Sequence, residues 1–244
     1  MTGYWDIHNH ILPGVDDGSG CMRETMEMLE EEYRQGVRHI VFTPHYRRDM
    51  FAIPREEIQT VYARVCEMAA DRFPEMEFYL GCEYYVHKED ISLISSDENY
   101  RMPGKKSVLL EFGYEKPFQS ICEIVKKAVQ EGVVPVLAHI ERYECLYGNL
   151  KNVALLREEG AKIQINADSL LGQQGFGIKR FCTKLMKESF VDFIASDAHD
   201  TVNRTVKMKT VIELVRKKYG EEKVEYIFRI EPEQLFSLQI KSQG

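Results

Sequence analysis

Two histidines one residue apart, His8 and His10, lie in the stretch Asp6-Ile7-His8-Asn9-His10-Ile11-Leu12-Pro13-Gly14-Val15-Asp16-Asp17-Gly18. Alternate side chains of a strand point the same way, so both imidazoles can reach one ion. The turn that follows brings two carboxylates, Asp16 and Asp17, back toward them. Imidazole nitrogens together with carboxylate oxygens suit Mn, Fe or Zn better than Mg or Ca. Taken alone, the stretch is equally compatible with two solvated histidines beside an acidic turn.

Ligand-type residues recur at the ends of later apolar runs. His45 follows Thr43-Pro44, Glu83 follows Gly81-Cys82, and Glu111 follows Leu109-Leu110. His139 closes the run Val134–Ala138, with Arg142 close behind, and Asp197 and His199 follow Ser196. Each has an ordinary reading: a strand-end histidine is commonly hydrogen-bonded, and a buried glutamate can be ion-paired. Their recurrence at six strand ends points instead to a multinuclear metal site. His8, His10, Asp17, His45, Glu83, Glu111, His139, Asp197 and His199 are too many ligands for one ion. Metal ions a few Å apart suit phosphoester hydrolysis, because they activate water, bind phosphoryl oxygens and offset charge on the leaving oxygen. Arg142 and Arg204 offer the fork-shaped donors that a phosphoryl group accepts.

The elements that must position these groups alternate. Strands are expected at Tyr4–His8, Arg38–Thr43, Glu77–Cys82, Ser107–Phe112, Val134–Ala138, Ala161–Asn166 and Phe190–Ser196. Their near-continuous apolar runs suit strands covered on both faces of a parallel sheet. Between them lie amphipathic helices. Ser19 is expected to cap the first, with Met22, Met26, Leu29 and Tyr33 on one face and Gly36 as its stop. Pro54 opens the second, with Ile58, Val61, Tyr62 and Val65 inward. Pro117 opens another, with Ile121, Ile124, Val125 and Ala128 inward. Leu150–Glu159, Phe176–Ser189 and Thr201–Tyr219 follow, and a helical tail runs from Glu221 with Pro232 restarting it. Between Tyr84 and Lys106 only a short helix near Asp90–Ser95 is assignable. Seven such strands favour an α/β, TIM-barrel-like (β/α)7 barrel, closed or nearly so, over an open doubly wound sheet. In such barrels the C-terminal strand ends share one rim, where active sites are built. With no repeat or linker, residues 1–244 read as a single domain.

A net charge of −7 argues against a surface that coats nucleic acid. No apolar run approaches the ~18 residues of a membrane span, and no secretory leader is evident. Cys21, Cys66, Cys82, Cys122, Cys145 and Cys182 are scattered without a C-x-x-C pair. Reduced thiols in a cytoplasmic protein are the expectation.

The strings H-N-H-I-L-P-G-V-D-D-G, T-P-H, G-C-E, L-L-E-F, A-H-I-E-R-Y and S-D-A-H together resemble the polymerase-and-histidinol-phosphatase (PHP) superfamily. Within it the chain resembles, over its whole length, the manganese-dependent bacterial protein-tyrosine phosphatases of the CpsB/YwqE type, encoded with capsule and exopolysaccharide genes. The first string is specific to this branch, and a histidinol phosphatase often has histidine where Glu111 stands. The resemblance implies a distorted PHP-type barrel and three Mn²⁺ ions, with Fe or Zn admissible in some positions. It places one ion on His8, His10, Glu83 and Asp197, a second on Glu83, Glu111 and His139, and a third on Asp17, His45 and His199. Glu83 is then the bridge, and Arg142 and Arg204 match the substrate-phosphate arginines.

The implied reaction is in-line attack of metal-bound hydroxide on phosphotyrosine, with His199 one candidate acid. The implied substrate is the tyrosine-rich tail of a bacterial kinase that controls polysaccharide export. A histidinol-phosphatase-like enzyme acting on a small molecule is the alternative. A non-catalytic relative would have lost ligands, and none is missing. The Met-rich face of the first helix reads as core, which leaves homo-oligomerisation open.

Several other residues receive plain readings. Cys66-Glu-Met-Ala-Ala-Asp-Arg72 satisfies C-x5-R, the signature of cysteine-dependent tyrosine phosphatases. That loop works through unpaired backbone N–H groups at a helix N-terminus, whereas this segment lies inside an amphipathic helix and reads as a chance match. His39 and His87 read as structural or solvated, and Tyr46-Arg47-Arg48 as a rim loop or a solvated one. Asp16 is assigned to the turn, bonding local N–H groups. Replacing it is therefore expected to be mild and replacing Asp17 severe.

Overall fold

In the computed structural model, residues 3–86 and 97–237 are described. His87 and the helix expected near Asp90–Ser95 lie outside them. The strands are β1 (Tyr4–Asp6), β2 (Val37–Phe42), β3 (His45–Tyr46), β4 (Glu77–Leu80), β5 (Glu83–Tyr85), β6 (Ser107–Glu111), β7 (Val134–Leu137), β8 (Lys162–Asn166) and β9 (Phe193–Ala195). Every ladder between them is parallel. They fall into two sheets, ordered β1-β2-β4 and β3-β5-β6-β7-β8-β9.

The two sheets arise because the second and third expected strands stop at Phe42 and Leu80, near the ends of their expected ranges, and the chain pairs again just beyond them as β3 and β5. Pro44 has no N–H to continue the ladder of β2. Gly81, between β4 and β5, is packed so closely that a Cβ there would sit 2.8 Å from Met102 Sδ and 3.0 Å from Val41 Cγ1. Single backbone bonds span the breaks, Gly81 N–H to Phe42 O at 2.8 Å and Glu83 N–H to Pro44 O at 3.2 Å. The last strand returns to the first: Asp197 N–H donates to His8 O at 2.9 Å, and His10 N–H to Ala198 O at 2.8 Å. The result is a distorted seven-unit α/β barrel, its strand ends curled round one rim.

Alternation within each strand separates two apolar layers. Trp5, Val41, Leu109, Val136, Phe193 and Ala195 belong to a core inside the sheet, whose end is covered by Leu235 and Phe236 of the tail. Phe236 meets Trp5 at a ring separation of 5.4 Å, and buried His39 stacks on the other aromatic flank of Trp5 at 4.5 Å, a structural role. Ile40, Phe42, Leu110, Leu137, Ile163 and Ile165 face the helices. The polar rim therefore stands on a dry plug, which strengthens every electrostatic interaction above it.

The helices are α1 (Met22–Arg34), α2 (Arg55–Ala70), α3 (Phe118–Gln130), α4 (Leu150–Glu158), α5 (Ala167–Leu171), α6 (Phe176–Lys187) and α7 (Met208–Tyr219). A tail of three helical segments covers Glu221–Glu225, Tyr226–Ile230 and Glu231–Ser237. Helix α3 buries Ile121, Ile124, Val125 and Ala128, the expected face. Ser19 does not cap α1. Cys21 holds that position, and the Ser19 hydroxyl instead bonds Cys21 O at 3.1 Å. Helix α7 starts later than Thr201, because Asp200 Oδ1 accepts from Val202 N–H at 2.6 Å and folds the segment into a turn. Helix α5 was not anticipated from the pattern. No described helix is long and apolar enough to cross a membrane.

Cys66 lies within α2, where backbone N–H groups are spent on the helix, and Arg72 is paired with Glu30. Burial pushes the Cys66 thiol up, the wrong direction for a nucleophile. Cys66→Ser is expected to leave any phosphatase activity within about twofold of wild type, since it removes neither packing volume nor chemistry. A dead but folded variant, by circular dichroism, would reinstate a cysteine mechanism.

Candidate active site

All nine expected ligands converge on the C-terminal rim, around Glu83. This glutamate opens β5 immediately after the Gly81-Cys82 break and is fully buried. Its Oε2 lies 3.2 Å from His8 Nε2, 3.2 Å from His10 Nε2 and 3.0 Å from His45 Nδ1, while Oε1 lies 2.9 Å from His139 Nε2. Despite these neighbours, Oε2 has no partner in hydrogen-bond geometry, and neither has buried His199 Nε2. His8 and His10 also point their Nε2 atoms at each other at 3.3 Å. Lone pairs packed this way repel one another unless cations lie between them, so the donor set fits divalent ions with N/O preference.

Four groupings of donor atoms lie close enough to share an ion. His8, His10 and Asp197 form one, and Glu83 Oε2 is adjacent to both imidazoles. His10, Asp17, His45 and His199 form another, in which Asp17 Oδ1 is 3.5 Å from His45 Nε2 and 3.6 Å from His199 Nε2. His139 joins Glu83 and His8, and Glu111 joins Glu83 and His45. His139 Nε2 is 3.8 Å from Glu111 Oε1. Three departures from the implied sets stand out: His10 reaches the Asp17 group as well, His45 faces Glu83 with its second nitrogen, and Glu111 and His139 fall in separate groupings around Glu83.

The surrounding bonds fix which nitrogen of each ring is free to bind. His8 Nδ1–H donates to Gln164 Oε1 at 3.1 Å, and His199 Nδ1–H to the Asp197 carbonyl at 2.9 Å, leaving both Nε2 atoms inward. Gln164 Oε1 also accepts the His139 N–H at 2.7 Å, and its amide donates to Asn166 Oδ1 at 2.8 Å. Asn166 in turn donates to Asp197 Oδ2 at 2.6 Å. This amide relay on β8 was missed from the sequence. The available signal was Gln164 and Asn166 at alternate positions of the strand, between the apolar Ile163 and Ile165 and both buried. His139 and Asp197 also share a left-handed backbone, with φ of 31° and 50°, a costly conformation that concentrates at functional sites.

Asp197 divides its carboxylate. Oδ1 faces His8 at 3.7 Å and His10 at 3.5 Å. Oδ2 accepts from Asn166 and pairs with Arg142 Nη2 at 3.0 Å and Arg204 Nη2 at 2.7 Å. Arg142 sits on the short 3₁₀ turn Ile140–Arg142 after β7, and Arg204 on the Asp200 turn after β9. Against the effect of burial, Arg142, His8 and Arg204 hold Asp197 well below the usual carboxylate range.

Asp16 requires a correction. Its Oδ1 does accept a local N–H, from Gly18 at 3.0 Å. Its Oδ2, however, bonds His10 Nδ1 at 2.7 Å and the His45 N–H at 3.0 Å. It is buried where turn chemistry alone would leave it wet, and its charge orients one ligand ring while tying the backbone of another. Although burial opposes ionisation, His10 and His45 lower its pKa to about 2. Without ions, burial and the Glu83 charge push Glu111 up to about 8, and burial then Arg142 push His139 down to about 4. Burial, then the charge of His10, takes His199 down to about 2.

The cleft above these groups, ≈150 Å³, is lined by Asp17, Glu83, Glu111, Arg142 and Arg204, with Phe51 and Tyr114 at its mouth. Residues 4–237 match the family model described as "Capsular polysaccharide synthesis, CpsB/CapC". The chain belongs to the CpsB/CapC family. Within that family, the tyrosine-protein phosphatase CpsB of Streptococcus pneumoniae is 32% identical over 240 residues, covering 96% of this chain and 99% of that protein. Tyrosine-protein phosphatase YwqE of Bacillus subtilis is 27% identical, covering 89% and 85%. A crystal structure from work on YwqE and CpsB, described as metal-dependent tyrosine phosphatases, superposes with a TM-score of 0.82 at 26% identity over 90% of this chain and 89% of that one. The fold alone is shared with the histidinol phosphate phosphatase of Lactococcus lactis, at 16% identity and a TM-score of 0.57, covering 92% and 94%.

Two outcomes follow for a CpsB/CapC member with this geometry. Asp16→Ala frees the His10 ring, and outer-shell losses of this kind cost about 10–100-fold in metal affinity. Titration of the stripped variant with Mn²⁺ should show a shift in that range, and an unchanged half-activation concentration would return Asp16 to a turn role. Metal binding must also expel the proton that Glu111 holds below about 8. Apparent Mn²⁺ affinity should therefore fall as pH drops below about 8, with proton release visible by calorimetry in buffers of different ionisation enthalpy. Affinity independent of pH between 6 and 8 contradicts that.

Proposed function

We propose that this protein is a metal-dependent protein-tyrosine phosphatase. The observation that carries the reading is the pairing of a nine-ligand cluster, buried except toward the cleft and centred on Glu83, with two arginines that open onto the same cleft. His8, His10, Asp17, His45, Glu83, Glu111, His139, Asp197 and His199 would hold the ions, three in number by the family resemblance, with Glu83 as bridge. The mixed N/O donors fit manganese, iron or zinc, and the family resemblance favours manganese. Bound divalent ions supply a low-pKa water and neutralise phosphoryl charge.

The chain's own groups do the rest. Each guanidinium spends part of its fork on Asp197 Oδ2 and keeps further N–H donors for the nonbridging oxygens. Because Asp197 anchors both, they are preorganised for charge that grows in the transition state. In-line attack from the side of the ligand cluster would leave the ester oxygen on the open side of the cleft. A phenolate with a pKa near ~10 needs less proton assistance than an alkoxide. His199 serves as a ligand in this reading. Its Nδ1–H is committed to a carbonyl and it stays neutral, which suits it poorly to deliver a proton.

The open mouth supports a protein substrate over a small one. Asp17 is about half exposed and Tyr114 is 52% exposed, whereas a histidinol-phosphatase-like pocket should close over its ligand. The capsule context of the family supports a substrate such as the tyrosine-rich tail of a bacterial kinase, and the six free thiols fit a cytoplasmic setting.

Turnover of a phosphotyrosine peptide should exceed that of a phosphoserine peptide and of histidinol phosphate. EDTA should abolish it and Mn²⁺ restore it. Arg142→Ala should cost about 10²–10³ in kcat. Full activity after exhaustive chelation, or preferred hydrolysis of histidinol phosphate, would sink the proposal.

A further inference from the structure

Two aromatic side chains at the cleft mouth have no part in holding ions or phosphate. Phe51 and Tyr114 line the same cleft as Glu83, Arg142 and Arg204. They rise from the loops after β3 and β6, the two strands that flank β5, so Glu83 lies between their points of origin in the sheet. Phe51 is pinned by a tight turn in which its N–H donates to Arg47 O at 2.7 Å and its carbonyl accepts from Arg47 N–H at 2.9 Å. Its ring lies nearly parallel to that of His45, 11° apart with centroids at 5.4 Å, so its orientation is fixed. Tyr114 is tied through its carbonyl to Glu144 N–H at 3.0 Å and is an electrostatic neighbour of Arg142. Tyr114 is 52% exposed and Phe51 is partly buried, and backbone-anchored aromatic rings left open to a cleft are surfaces kept free for contact.

A phosphoryl group held by Arg142 and Arg204 in this cleft would leave its ester substituent within reach of these two rings, which line the same space. A phenyl ring presents two flat apolar faces to them, and a serine or glycerol chain presents none. We propose that Phe51 and Tyr114 form an aryl clamp that sets the preference for phosphotyrosine, with Met50 extending the Phe51 wall. This inference rests on the phosphatase reading above. It assigns aryl selectivity to binding rather than to the low pKa of the phenol alone.

Non-hydrolysable inhibitors separate the two, because they have no leaving group. The probes are phenylphosphonate and methylphosphonate, with inhibition constants measured on the Mn²⁺-loaded enzyme. Wild type should bind phenylphosphonate at least about 10-fold more tightly. Phe51→Leu and Tyr114→Leu should each reduce that ratio by about 3–10-fold, consistent with the worth of an aromatic pair. Methylphosphonate binding should stay within about twofold. Phe51 touches His45, so Tyr114→Leu, which replaces no neighbour of a ligand ring, keeps the test independent of metal loading. Unchanged ratios, or equal weakening of both inhibitors, would overturn the clamp while leaving phosphatase activity intact. A wild-type enzyme that does not hydrolyse phosphotyrosine at all would overturn the functional reading and the clamp with it.

Discussion

The constraint on which the rest of the molecule depends is the burial of the Glu83 carboxylate among four imidazoles. A buried ion costs several kcal/mol even after relaxation, and here Oε2 meets three ring nitrogens at 3.0–3.2 Å without a hydrogen bond. Such an arrangement needs compensating positive charge, from protonated imidazoles or from cations held between the donors. The barrel is what enforces it. The breaks at Pro44 and Gly81 end β2 and β4, and the chain pairs again as β3 and β5, turning His45 and Glu83 onto the rim. Below, the apolar plug closed by Phe236 keeps water out of the site's floor.

Asp197 links the histidine cluster to the two arginines of the cleft. One oxygen belongs to the ligand cluster and the other to Arg142, Arg204 and Asn166. A single carboxylate thus holds the candidate ligand cluster and the two guanidinium forks in one fixed relation. The relay His8–Gln164–Asn166–Asp197 closes the circle through β8, a strand that contributes no ligand. Positioning of this kind is what lets electrostatic stabilisation act without reorganisation at the moment of reaction.

Much of this was legible in the residues. Apolar runs with ligand-type residues at their ends gave the strands and rim, and the apolar face of α3 is the expected one, because strong periodicity is a local signal. What depended on tertiary contact was not legible. Ser19 looked like a cap but is drawn to Cys21 and Thr25. Asp16 looked like a turn residue because its bond to His10 exists only once the turn folds back over the rim. Gln164 and Asn166 carry no chemistry of their own, so nothing but their alternation on β8 marked them. The start of α7 was misplaced because the side chain of Asp200 overrides helical preference over 201–204.

The central claim is that Glu83 is the bridge of a multinuclear metal centre whose outer wall is the Asp197–arginine pair. Anomalous scattering at the manganese edge, from crystals of the Mn²⁺-loaded protein, tests it most directly. The account predicts separate peaks, one on His8, His10, Glu83 and Asp197, one on Glu83, Glu111 and His139, and one on Asp17, His45 and His199, with Glu83 shared by the first two and Asp197 Oδ2 still paired to Arg142 and Arg204. A single peak remote from Glu83, or Asp197 Oδ2 drawn away from both arginines onto a metal, would contradict it.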